Sequence, residues 1–237
     1  MDSQIEFRKL TQSIISCRKC PRLVAWREVT AREKRKAYMN DAYWGKPVPG
    51  FGDTDAKVLI IGLAPGAHGS NRTGRMFTGD ASGEFLFKAL YNAGFCSAPI
   101  SKGRNDGLYI NNIYITAICR CVPPGNKPTR EEIVNCSKYL EKEMRLLNHL
   151  EGIVALGKIA FDESLKLLKK RYCLCLSEPV KFKHNDLFSF QEKAPWLLSS
   201  YHPSRQNTQT GRLTSDMFSQ IWVNVKSLLN AQNEIEK

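Results

Sequence analysis

KVLIIGLAPG, from Lys57 to Gly66, reads as a strand buried on both faces that breaks off in a glycine- and proline-containing loop. An unbroken apolar run of this length, bounded by turn residues, suits a parallel sheet covered by helices on both sides. The chain downstream repeats the pattern. Phe85, Leu86, Ala89 and Leu90 fall on one helical face after Ser82 and Gly83, with Gly94 as a stop. YINNIYITAI, Tyr109 to Ile118, is a second strand, entered from a loop around Ser101 to Gly107 that contains Gly, Asn and Lys. Thr129 and Glu132 have capping-box spacing and open a helix predicted to reach about Leu150. GIVALG is a third strand, followed by a helix through Phe161, Leu165 and Leu168. WLLSSYHP is a fourth, ending at Pro203, and Thr214 is placed to cap the last helix. In open α/β folds, ligands bind beyond the carboxyl ends of the strands, so the loops after these strands are where chemistry is expected.

The 237 residues, 42% hydrophobic, suffice for one sizeable core and predict a single domain over 1–237. Residues 1 to about 55 read as a helix-like start, a Cys-x-x-Cys turn and an irregular stretch, which needs something besides apolar packing to hold it. The formal charge of +12 favours a polyanion such as nucleic acid, with a merely solubilising role as the competing reading. MDSQIEFRKL carries charge where a signal peptide needs an apolar run, and no stretch approaches the ~20 apolar residues of a membrane span. A soluble, cytoplasmic protein is expected. In a reducing compartment its eight cysteines suit metal or cluster ligation better than disulfides.

Cys17 and Cys20 have the spacing that lets one turn present two sulfurs to one metal centre. Cys121 starts CVPPGN just past the second strand, and Cys136 lies on the first turns of the next helix, so the intervening loop can fold both together. Four thiolates suit tetrahedral zinc or a [4Fe–4S] cluster, and spacing does not choose between them. Cys119 stays a competing ligand, whereas Cys96, Cys173 and Cys175 lack partner spacing and read as core or surface thiols.

CRKCPRLVAWRE (Cys17 to Glu28), GLAPGAHGSNRTGRMFTGD (Gly62 to Asp80), CRCVPPGNKPTREEIVNC (Cys119 to Cys136) and YHPSRQNTQTGRL (Tyr201 to Leu213) together resemble the iron–sulfur uracil-DNA glycosylases, most closely the family-5 branch. The resemblance spans nearly the whole chain. It implies a three-layer α/β/α sandwich around a four-stranded parallel sheet. It also implies a [4Fe–4S] cluster held by Cys17, Cys20, Cys121 and Cys136, which clamps the N-terminal segment. The implied activity is that of a monomeric, monofunctional DNA-repair glycosylase acting on double-stranded DNA that contains deaminated bases.

The resemblance assigns roles residue by residue. Gly62, Ala64 and Gly66 let backbone approach the extruded nucleotide, and Phe77 takes the place where relatives stack an aromatic ring on the base. Asn71 belongs to the same pocket. His202 is the donor to charge developing on the departing base. Asp80, the only acid between Asp55 and Glu84, is a candidate for orienting water, with a helix-cap role as the alternative. Asn126 in the PPGN turn positions water or base, or is simply a turn residue tolerating left-handed geometry. The family-4 branch has a glutamate where this chain has Leu63 and a base-reading asparagine where it has Ala117. Losing that reader predicts tolerance of uracil, hypoxanthine and xanthine. Ser204, Arg205, Gln206 and Asn207 lie in a polar loop expected to be flexible and to fill the gap left by the flipped nucleotide. Arg18, Lys19, Arg22 and Arg27 are candidate phosphate contacts. Competing readings are a uracil-only family-4-type enzyme and a non-catalytic DNA-binding module built on the four cysteines.

Overall fold

The computed structural model describes residues 3–176, 178–190 and 194–235. Its centre is the expected parallel strand set: β2 (Val58–Gly62), β3 (Ile113–Ala117), β4 (Gly152–Leu156) and β6 (Trp196–Ser200). Every residue of these four strands is buried. The expectation of a four-stranded, all-parallel sheet is corrected. Among the described residues the sheet has six strands in the order β1-β3-β2-β4-β6-β5, with β1 (Phe51–Gly52) and β5 (Asp186–Phe188) antiparallel on the two edges. Strands of two and three residues are too short to carry any periodicity in sequence.

Alternation along each strand sorts the core into two layers. Val58, Ile60, Ile113, Ile115, Val154 and Leu198 face one side. There they meet Leu86, Phe87 and Leu90 of α4 (Ala81–Asn92) and Phe218, Ile221 and Trp222 of α8 (Ser215–Ile235). Leu59, Ile61, Ile153, Ala155 and Leu197 face the other side. Their partners are Leu140 and Met144 of α5 (Arg130–Leu146) and Phe161, Leu165 and Leu168 of α6 (Lys158–Tyr172). This is the three-layer α/β/α sandwich. Both capping predictions hold: Thr129 and Glu132 form a reciprocal capping box, and the Met217 N–H donates to Thr214 Oγ1 at 3.2 Å.

The N-terminal segment differs from its sequence reading. After α1 (Ser3–Ile15) and the Cys17–Cys20 turn, residues read as irregular form a helix, α2 (Pro21–Glu33), with Pro21 in its first turn. Apolar contacts also hold this segment. Leu10 and Ile14 pack on Tyr139 of α5, and the Phe7 ring lies 5.3 Å from that of Tyr114. No helix among the described residues is long and apolar enough to cross a membrane.

Candidate active site

Parallel pairing brings the carboxyl ends of β2, β3 and β6 to one edge of the sheet, with Gly62 directly opposite Ala117. The loop after β2 runs through α3 (Ser70–Thr73) and returns to lay Phe77 over the end of its own strand. A Cβ on Gly62 would stand 2.7 Å from the Phe77 ring, so only a bare residue permits this overlay. Phe77 itself has a left-handed backbone, φ 50°. Such a conformation costs roughly 1–3 kcal/mol in a non-glycine residue and survives only where the surroundings impose it. Gly83 is one of those constraints, since a Cβ there would meet the Phe77 carbonyl oxygen at 1.9 Å.

His202, two residues beyond β6, stacks on Phe77 with ring centroids 6.0 Å apart and planes inclined by 30°. Burial pushes its imidazole down to about 4, so the ring is neutral at physiological pH and carries one N–H donor. Asn207 fixes the backbone of this residue, its Nδ2 donating to the His202 carbonyl at 2.9 Å.

Asp80 takes the capping role that the sequence left open as the alternative, and its second oxygen faces the loop after β2. Its Oδ1 caps α4 by accepting from the Gly83 N–H at 3.0 Å. Its Oδ2 points into the loop after β2, where a Cβ on Gly69 or Gly66 would lie 2.0 or 2.7 Å away. Burial raises the Asp80 carboxyl above its ordinary value, opposed by the Gly83 and Ser82 amides and by Arg72. Arg72 is a site residue that sequence reasoning missed. Its guanidinium ties the two ends of the loop together, donating to the carbonyls of His68 at 2.7 Å and Gly79 at 3.1 Å, and it pairs with Asp41 at 2.6 Å. It lies inside the Gly62–Asp80 stretch, but nothing in its spacing marks the contacts it makes.

The other predicted residues divide. Ala117 is 1% exposed at the end of β3, in the same core layer as Phe77, and its side chain carries no polar atom. Ala64 packs toward the α5 and α6 side of the sheet. Asn71 is buried, with its backbone N–H on the Gly66 carbonyl at 3.0 Å and its Nδ2 on the Arg27 carbonyl at 3.3 Å, while its Oδ1 has no hydrogen-bond partner. Asn126 is exposed and left-handed, φ 58°, the geometry of a turn residue. The run expected to be a flexible loop instead contains a short helix, α7 (Arg205–Gln209), capped by Ser204 Oγ. Arg205 and Gln206 are exposed on it, whereas Asn207 is turned inward to His202.

Cys17, Cys20, Cys121 and Cys136 line a single cavity where the α1–α2 turn meets the loop after β3 and the first turns of α5. Nitrogen donors lie close to three of the four sulfurs. Arg27 Nη1 lies 3.0 Å from Cys121 Sγ, the Arg120 N–H 3.3 Å from Cys136 Sγ and Asn135 Nδ2 3.8 Å from Cys20 Sγ. Among the described residues no three His, Cys, Asp or Glu side chains converge on one point as ligands of a single metal ion would. Cys119 sits in the core behind Cys136 and does not line the cavity. Cys96 is buried and Cys173 and Cys175 are exposed, as expected. Of the candidate phosphate contacts near this turn, Arg27 alone is buried, while Arg18, Lys19 and Arg22 are exposed. Arg27 is 2% exposed, and Arg18 and Arg22 form ion pairs with Glu28 and Glu132, at 2.5 and 2.7 Å. Behind the cavity, Arg120 makes a buried ion pair with Glu143 of α5, and Thr116 bonds both.

Comparison with known proteins agrees with this geometry. The model of the uracil DNA glycosylase superfamily matches residues 49–226. A type-5 uracil-DNA glycosylase of Thermus thermophilus is 48% identical over 217 residues, 92% of this chain and 95% of its own. One from Mycobacterium leprae is 48% identical over 221 residues, 93% of this chain and 94% of its own. One from Pyrobaculum aerophilum is 42% identical over 208 residues, 88% of this chain and 87% of its own. With three quarters of its length inside the family match and relatives of this identity aligned nearly end to end, the chain belongs to the uracil DNA glycosylase superfamily.

Proposed function

We propose that this enzyme flips a deaminated base out of double-stranded DNA and hydrolyses its N-glycosidic bond, with uracil, hypoxanthine and xanthine as substrates, acting as a monomer and leaving an abasic site. The observation that carries the reading is the Phe77–His202 stack above Gly62 and Ala117. It joins an aromatic ring and a neutral N–H donor beside a strand end without a base-reading side chain. An extruded base stacks on Phe77, and the His202 N–H donates to the oxygen on which charge develops as the bond breaks. That contact strengthens in the transition state. Asp80 Oδ2, held in the glycine-walled loop, orients water and offsets the positive sugar. Because Ala117 presents no hydrogen-bonding group, a purine entering the pocket strands no buried polar atom there. Exposed Arg205 and Gln206 on α7, two and three residues past Pro203, are placed to fill the gap left by the flipped nucleotide.

Cys17, Cys20, Cys121 and Cys136 are proposed to hold a [4Fe–4S] cluster. The shared cavity and the N–H donors at the sulfurs support this. Each iron of such a cluster takes one thiolate, so its four sulfurs need not meet at one point. The cluster's role is structural, joining the α1–α2 turn to α5, and no step of base removal passes through it. Single-turnover assays of His202→Ala and Asp80→Asn test the mechanism. His202→Ala should slow release of every substrate base by roughly 10²–10³. A full rate in both variants would remove the assignment.

A further inference from the structure

The loop between α4 and β3 takes no part in the site described above, yet it is fastened to it. Asp106 accepts from the N–H groups of Lys102, Gly103 and Leu108 at 2.7, 3.2 and 3.0 Å, and forms a two-pronged ion pair with Arg75. Arg75 also donates to Ser101 Oγ at 2.6 Å, and Ser101 Oγ pairs with Thr78 Oγ1 at 2.5 Å. Arg75 and Thr78 bracket Phe77 in the chain, so the loop is buttressed against the segment that presents the stacking ring.

With Asp106 turned inward, the loop exposes Lys102 and Arg104. The Arg104 guanidinium lies 4.3 Å above the Trp44 ring, and the Lys46 ammonium lies 5.5 Å from the centre of that ring. Trp44 is tied to the site in its turn, its backbone N–H donating to the Arg72 carbonyl at 2.8 Å. Gly74 must be bare for this packing, since its Cβ would stand 2.9 Å from both Arg104 Cδ and the indole. Among the described residues, the side chains of Lys46, Lys102 and Arg104 form no ion pair and no hydrogen bond. Three uncompensated cations on a rigid support, one of them stacked on an indole, match a partner that carries regularly spaced negative charge.

We propose that Lys46, Lys102 and Arg104 form a phosphate-binding face that grips the DNA backbone beside the extruded nucleotide, separate from the contacts of α7. The proposal rests on the DNA reading above. Each cation that neutralises a phosphate releases counterion, so log K against log salt loses about 0.9 of slope per contact removed. Lys102→Gln/Arg104→Gln is compared with wild type in equilibrium binding to a duplex bearing a stable abasic-site analogue, at several salt concentrations. Lys88→Gln/Lys226→Gln, on the exposed faces of α4 and α8, removes the same charge elsewhere as a control. The expected result is a slope shallower by about 2 for the loop variant and little changed for the control. An unchanged slope in the loop variant, or an equal change in both variants, overturns the proposal while leaving the DNA reading intact. A wild type that does not bind the duplex overturns both.

Discussion

Ala117 carries the specificity argument at the level of single residues. It is buried opposite Gly62, in the same core layer as Phe77, and the proposal is that a side chain added there meets the extruded base. Ala117→Asn supplies hydrogen-bonding groups that fit the edge of a pyrimidine and that a purine leaves unpaired. At roughly 1–3 kcal/mol per unpaired buried group, the ratio of uracil to hypoxanthine release should rise about tenfold or more. An unchanged ratio, with folding intact, would show that residue 117 does not meet the base. In the proposed mechanism Asp80 acts as a carboxylate and sets the acid limb of the pH profile; burial raises its pKa, so activity should fall with decreasing pH at values above those of an ordinary aspartate. In Asp80→Asn the limb should disappear from the residual rate.

Elements show how the site is aimed. The first turn of α4 holds both the Asp80 cap and the backbone contact of Gly83 with Phe77, so Gly83→Ala should push the strained Phe77 segment off β2 and lower both denaturation midpoint and rate. Gly62→Ala should leave the sheet paired but displace the Phe77 ring, lowering rate more than stability. The four parallel strands were legible because each is a short, mainly apolar run bounded by turn residues. The α5 and α8 starts were legible because capping chemistry is local. Helix α2 was not, because its buried face mixes Leu23 and Val24 with Arg27 and Thr30, which breaks the apolar stripe. Helix α7 was not, because RQNTQ has no apolar residue and depends on the Ser204 cap and on Asn207 anchoring His202. The pocket motifs were readable in order along the chain. The Arg72 contacts were not, since two of them go to backbone carbonyls that any residue supplies, and the Arg120–Glu143 pair was not, since its members lie on different elements and no spacing records them.

Across the whole molecule, the loop after β2, proposed to meet the base, and the cysteine cavity are joined by a chain of buried polar contacts. Arg27 reaches Cys121 with its guanidinium and Asn71 with its carbonyl, and Asn71 holds the Gly66 carbonyl of the pocket loop. With a cluster in that cavity, the purified protein should contain about 4 iron atoms per chain and absorb in the visible. Cys136→Ser should lose that iron and unfold at lower denaturant, though α1 keeps its apolar anchorage through Leu10 and Ile14. A colourless protein holding one zinc would contradict the cluster. Glu143→Ala leaves Arg120 buried and unpaired, and should cost about 3–5 kcal/mol in equilibrium unfolding. In the proposed mechanism a site built from Phe77, His202 and an unspecific Ala117 releases more than one deaminated base. The most direct test is single-turnover base release from otherwise identical duplexes carrying uracil, hypoxanthine or xanthine. Free base and an unbroken abasic strand from all three are predicted; release of uracil alone, or binding without release, would contradict the account.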